Sequence, residues 1–166
     1  MPWRAMTHWC LSGLLLGMTD QDLSGIIAEG QPRIEVRISS TTQMNVLVQS
    51  APSHSFSAFS AAIDAVKQCD SMLKMVIAER RLQSPRGDNH ITIRFKRPVA
   101  LTFAYGGGKS LTVSEIVVPL SEKQTVPEWD FYYSEDSRTW FALRWTTPDP
   151  GMLTRLEQAS RRLQQS

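Results

Sequence analysis

Between residues 91 and 105 every odd position except Arg97 is apolar: Ile91, Ile93, Phe95, Val99, Leu101, Phe103 and Tyr105. The even positions carry Thr92, Arg94, Lys96, Pro98, Ala100, Thr102 and Ala104. Successive side chains of a strand point to opposite faces, so alternation this long dictates an extended, half-buried β-strand. Pro98 has no N–H to give to a neighbour, and the strand is expected to bend, bulge or lie at an edge there. Gly106-Gly107-Gly108 then turns the chain into 111–118, where Leu111 and Val113 are odd but Ile116 and Val118 even. A change of parity within one strand marks a bulge, here near Ser114-Glu115.

Other patterns supply the partners of this strand. Ile34, Val36 and Ile38 alternate with Arg33, Glu35 and Arg37, and Met44, Val46 and Val48 alternate after a polar turn, which predicts a hairpin. Phe56, Phe59, Ile63, Val66, Cys69, Leu73 and Val76 recur at three- and four-residue steps. That stripe predicts one amphipathic helix from Ser53 or Ser55 to about residue 82, roughly 40 Å long. Trp129–Tyr133 and Thr139–Trp145 form a last hairpin about Ser134–Ser137, with Tyr133 opposite Arg138 and Phe131 opposite Trp140. Thr19 and Asp22 open a short helix over 20–29, which Gly30 and Pro32 end. Asp149 followed by Pro150 opens a final one with Leu153, Leu156, Ala159 and Leu163 inward. The fold class expected is α+β, a single antiparallel, curved sheet with one long amphipathic helix packed across it, plus short N-terminal and C-terminal helices. Residues 1–30 form an N-terminal helical segment and 31–166 a single α+β domain.

Composition removes several classes. In 166 residues, 42% hydrophobic and 20% charged, there is enough apolar matter for a core and too little charge for a disordered polyelectrolyte. No run of about 18 apolar residues offers a membrane-spanning helix. Two cysteines, Cys10 and Cys69, do not make a disulfide scaffold. Arg4 and His8 ahead of the apolar stretch 9–18 have the outline of a signal peptide, which makes export the alternative localisation. Asp20 and Asp22 follow at once, and Leu11, Leu14, Leu15 and Met18 are spaced to dock as a helix. The docked helix is preferred, with a cytoplasmic location by default.

No motif for chemistry survives inspection. Gly106-Gly107-Gly108-Lys109-Ser110 has Phe103 where a phosphate-binding loop needs its first glycine, and it joins two strand patterns instead of opening a helix. Arg86-Gly87-Asp88 is ordinary turn sequence. His8, His54 and His90 lie far apart, with no Cys-x-x-Cys, so no metal is expected. Ser110 lacks the second glycine of a nucleophile elbow. No catalytic or cofactor-binding residue is assigned, although His90 would be the acid–base candidate, and the reading leans away from an enzyme. An unrecognised hydrolase or transferase ranks below two binding functions.

Two uneven patches carry those. Between Lys74 and Arg97 seven basic residues face two acidic ones, a net +5 where the whole chain carries +2. Arg80, Arg81, Arg94, Lys96 and Arg97 would form an anion or nucleic-acid site, the alternative function. Seven of the fourteen aromatic residues fall within 129–145. A sheet lying on a core from one side alternates apolar with polar, but this hairpin is apolar on both sides. The leading expectation is therefore a non-catalytic protein–protein interaction module or subunit of an assembly, self-association included, with Trp129, Phe131, Tyr133, Trp140 and Trp145 as partner-binding residues.

Overall fold

In the computed structural model the residues described are 20–39, 42–77, 89–120 and 128–166. The alternating run around Pro98 becomes β4 (His90–Phe103), the longest strand, and a 3₁₀ turn at Tyr105–Gly107 returns it into β5 (Lys109–Pro119). Gly106, Gly107 and Gly108 all have positive φ (64°, 74° and 99°), a backbone that L side chains resist. Before β4 come α1 (Asp20–Gly30), β1 (Pro32–Ile38), β2 (Thr42–Leu47), α2 (His54–Lys67) and β3 (Ser71–Ile77). After β5 come β6 (Trp129–Ser134), β7 (Trp140–Trp145) and α3 (Pro150–Gln165). The fold is α+β. Its seven described strands form one sheet in the order β2-β1-β4-β5-β6-β7-β3, with every pairing antiparallel.

The two breaks of pattern in β4 and β5 are one feature. Arg94 pairs with Glu115, but the next pair is Val99 with Val113, so the stretch 95–98 of β4 stands opposite Ser114 alone. The odd offset lets β4 keep one parity while β5 changes its own. Helix α1 approaches here so closely that a Cβ on Gly30 would fall 2.6 Å from both Phe95 Cδ1 and Val99 Cγ1.

One main core lies between the sheet and the helices. Leu23 and Ile27 of α1, Phe59, Ile63 and Val66 of α2, and Leu156 and Leu163 of α3 share it with Ile34, Val36, Ile91, Ile93, Leu101, Phe103 and Ile116. Phe59 meets Phe95 edge to face with centroids 6.3 Å apart. Ser53 caps α2 by accepting from the Phe56 N–H, and Asp149 caps α3 by accepting from Gly151.

The helix expected to run to residue 82 stops at Lys67, at about half that length. Gln68 and Cys69 close its last turn on the Ala65 and Val66 carbonyls. The Lys67 and Cys69 carbonyls then accept from Ala104 and Tyr105, and the Asp70 N–H donates to Arg144. The Asp70 carboxylate accepts from both the N–H and the hydroxyl of Thr146, which holds its pKa below the usual carboxylate range. These tethers draw the chain into β3 beside β7. Leu73 and Val76 fit a helical spacing only because a short run apolar on both sides satisfies either period.

The final hairpin also differs from the expected register. Tyr133 pairs with Phe141, Phe131 with Leu143 and Trp129 with Trp145. The expected pairing of Tyr133 with Arg138 fails because the connection is longer than a four-residue turn. Asp136 organises it: its carboxylate accepts from the Arg138 and Thr139 N–H groups and the Ser134 and Thr139 hydroxyls. Those donors, the Thr139 N–H first, hold the Asp136 pKa down to about 2. Ser137 takes a positive φ of 61° in the same loop.

Candidate interaction face

The register places side chains in straight lines across the sheet. Glu35, Thr92, Val117, Tyr132, Ala142 and Leu73 stand opposite one another across six strands, from β1 to β3. The adjacent line runs Arg33, Arg94, Glu115, Ser134, Trp140 and Ile77. Both lines lie on the face turned away from the main core, called the outer face below. Each begins with charge and ends apolar.

At the charged end, Arg94 bridges two neighbouring strands, with Nη1 3.1 Å from Glu35 Oε2 and Nε 3.2 Å from Glu115 Oε1. At the apolar end, Ile77, Val117, Trp140 and Ala142 form a second hydrophobic cluster, with Leu73 and Tyr132 partly buried against it. All six come from strands; among the described residues no helix contributes to it. Arg144 borders the patch, its Nε 2.7 Å from Asp130 Oδ1 and its Nη1 2.6 Å from Glu128 Oε2. Beyond it lies β3, the last strand of the sheet among the described residues, where Val76 is 62% exposed.

The five aromatic residues singled out in the sequence divide between the faces. Trp129, Phe131, Tyr133 and Trp145 all join the main core, with Phe141 packed against them. Trp129 stacks on Trp145 at 6.3 Å and lies 4.6 Å from Phe131, while its indole N–H donates to the Pro119 carbonyl. Of the five, Trp140 alone stands on the outer face, 3% exposed beneath its neighbours. Tyr132, Leu73 and Val76 are the members of this region that sequence reasoning missed. For Leu73 and Val76 the signal was the two-sided apolarity of 71–77, masked by its accidental helical spacing, while Tyr132 stood within the aromatic run 129–145.

Arg94 is held by two carboxylates, and Lys96 and Arg97 are exposed at the bulge. Arg80 and Arg81 lie outside the described residues, as do the docked helix expected over 9–18 and the Arg86-Gly87-Asp88 turn. His90 is buried at the start of β4, opposite Arg37 and Pro119. Among the described residues no His, Cys, Asp and Glu group could hold a metal ion, and no helix is long and apolar enough to cross a membrane. The Cys69 thiol is buried, and desolvation pushes its pKa well above the ordinary thiol value, against a role as nucleophile.

No protein-family model matches the chain, and comparison with curated proteins and with solved structures finds none similar to it.

Proposed function

We propose that the chain is a non-catalytic protein–protein interaction module, or a subunit of an assembly, whose contact surface is the outer side of the aromatic hairpin together with the β3 edge. The observation that carries this reading is the second apolar cluster, built among the described residues from strands alone, on a sheet whose strand β3 also exposes Val76. An antiparallel sheet that faces water presents polar side chains there, as the β1 end of this sheet does. An edge strand offers a row of backbone donors and acceptors, and apolar flanking side chains make it a template for a partner strand. Trp140 would form the floor of the contact, with Tyr132 and Leu73 as its reachable rim and Val76 exposed on the flanking strand. Four of the aromatic residues expected to bind a partner, Trp129, Phe131, Tyr133 and Trp145, would act by stiffening the hairpin from beneath.

The simplest partner is a second copy of the chain, and light scattering on the intact protein tests it. The expected result is concentration-dependent self-association that Val76→Asp abolishes without lowering the melting temperature, since Val76 is exposed. A monomer at every concentration, with Val76→Asp changing no interaction in a pull-down, sinks the proposal.

A second reading, binding of nucleic acid or phosphate by segment 74–97, draws support from the adjacent exposed Lys96 and Arg97. It expects oligonucleotide binding that weakens with salt and on conversion of both residues to Glu. No binding at low salt ends it.

A further inference from the structure

The helical layer holds a groove that neither binding function uses. It lies between α2 and α3, has a volume of about 220 Å³, and is open to solvent. Ser57, Ser60, Ala61 and Asp64 reach it from one face of α2, spaced three, four and seven residues apart. Met152 and Arg155 close it from α3, and Phe56 completes the apolar wall.

Its polar groups have capacity to spare. Asp64 is only partly exposed, yet it makes no hydrogen bond or ion pair with any described residue. The hydroxyls of Ser57 and Ser60 are likewise without a described partner. Desolvation therefore raises the Asp64 pKa, with Lys67 and Arg155 only partly opposing it. A carboxylate that has lost water without gaining a donor is a standing cost, removed by any ligand that brings N–H groups. Arg155 is the opposite case. Its side chain is 65% exposed, and its one ion pair, to Asp149, is long at 3.9 Å. A guanidinium has five donors in a fork that suits a carboxylate.

We propose that this groove binds a small amino-acid-like zwitterion, its ammonium held by Asp64 and the serine hydroxyls, its carboxylate by Arg155, and its short apolar side chain between Phe56 and Met152. A plain amine would meet the Arg155 charge, and a plain carboxylate would meet Asp64. Only a ligand carrying both signs satisfies both ends. The volume lies below the roughly 300–1,000 Å³ of sites for drug-sized ligands, which limits the occupant to a few heavy atoms.

Titration of the intact protein with norvaline, n-butylamine and pentanoate, followed by two-dimensional NMR, tests the assignment. Norvaline is expected to saturate the shifts of α2 and α3 amides at millimolar concentration, the range natural for so small a ligand. Butylamine and pentanoate, each lacking one charge, should bind about tenfold more weakly or not at all. Asp64→Asn and Arg155→Gln should each reduce norvaline binding by about the same factor. Asp64→Asn should fold and melt no lower at neutral pH, because the neutral amide escapes the desolvation that penalises the carboxylate. The proposal is overturned by the absence of saturable norvaline binding. It is equally overturned if Asp64→Asn binds as tightly as the parent chain, or if butylamine binds as well as norvaline.

Discussion

The two ends of the outer sheet face are finished in opposite ways. Over β1 and β4 the lines of side chains read Arg33, Glu35 and Arg94, and Arg94 is shared between Glu35 and Glu115 at 3.1 and 3.2 Å. Over β7 and β3 the same lines read Trp140, Ala142, Leu73 and Ile77. The charged end is finished by ion pairs whose guanidinium stays partly in water, and such a group gains little from a cover. The apolar end is held instead by area already removed from water, Val117 and Ala142 being fully buried. One register thus carries a charged surface into an apolar cluster whose members Ile77, Val117, Trp140 and Ala142 are buried.

The strongest challenge to this contrast compares Phe131 with Trp140. Phe131 is fully buried in the main core, and Phe131→Ala should cost about 3–5 kcal/mol, read from the urea midpoint. Among the described residues Trp140 belongs to a much smaller cluster, and Trp140→Ala should cost clearly less. Equal losses would make the outer cluster a second structural core and remove its claim to be a contact face.

At the charged end, Arg94→Met should cost about 1 kcal/mol or less, because its side chain is 46% exposed and water screens both pairs. A loss of several kcal/mol would mean that Glu115, itself buried, depends on Arg94 far more than a surface pair allows.

The smallest effect concerns the loop that fixes the hairpin register. Its donors depress the Asp136 pKa to about 2, so the carboxylate stabilises the folded chain fully above its unfolded value near ~3.9. That contribution is lost as pH falls from about 4 through about 2. Melting temperatures of the parent chain should drop across this window, and Asp136→Asn should reduce the drop while lowering the plateau above it. An identical profile in the variant would show that Asp136 does not set the loop.

Much of the fold could be read from local pattern. Alternation in 33–38 and 91–103 gave β1 and β4, and the parity change near Ser114 gave the bulge, because side-chain period is a property of the backbone itself. Asp149-Pro150 marked the start of α3 for an equally local reason. The pattern failed at 71–77 and in the hairpin register. Both are decided by hydrogen bonds between residues distant in sequence or by a loop whose length no periodicity reports. Asp70 finds Thr146 only in the folded chain, and that contact separates β3 from the end of α2. The candidate face was half legible. Its two-sided apolarity was plain from Trp129 to Trp145, but which ring faced which side depended on a register three residues from the expected one.

The sequence by itself determined the α+β class, the antiparallel strands around Pro98 and the hairpin in which half of the aromatic rings gather. These follow from periodicities of about 2 and 3.6 residues, which are properties of the local backbone. Only the tertiary structure decided that β3 pairs with β7, that Trp140 parts company with Trp129, Phe131, Tyr133 and Trp145, and that Asp64 shares a groove with Arg155. Each of these depends on which distant segments meet, and the free energy of such meetings is written in packing and long-range hydrogen bonds rather than in local pattern.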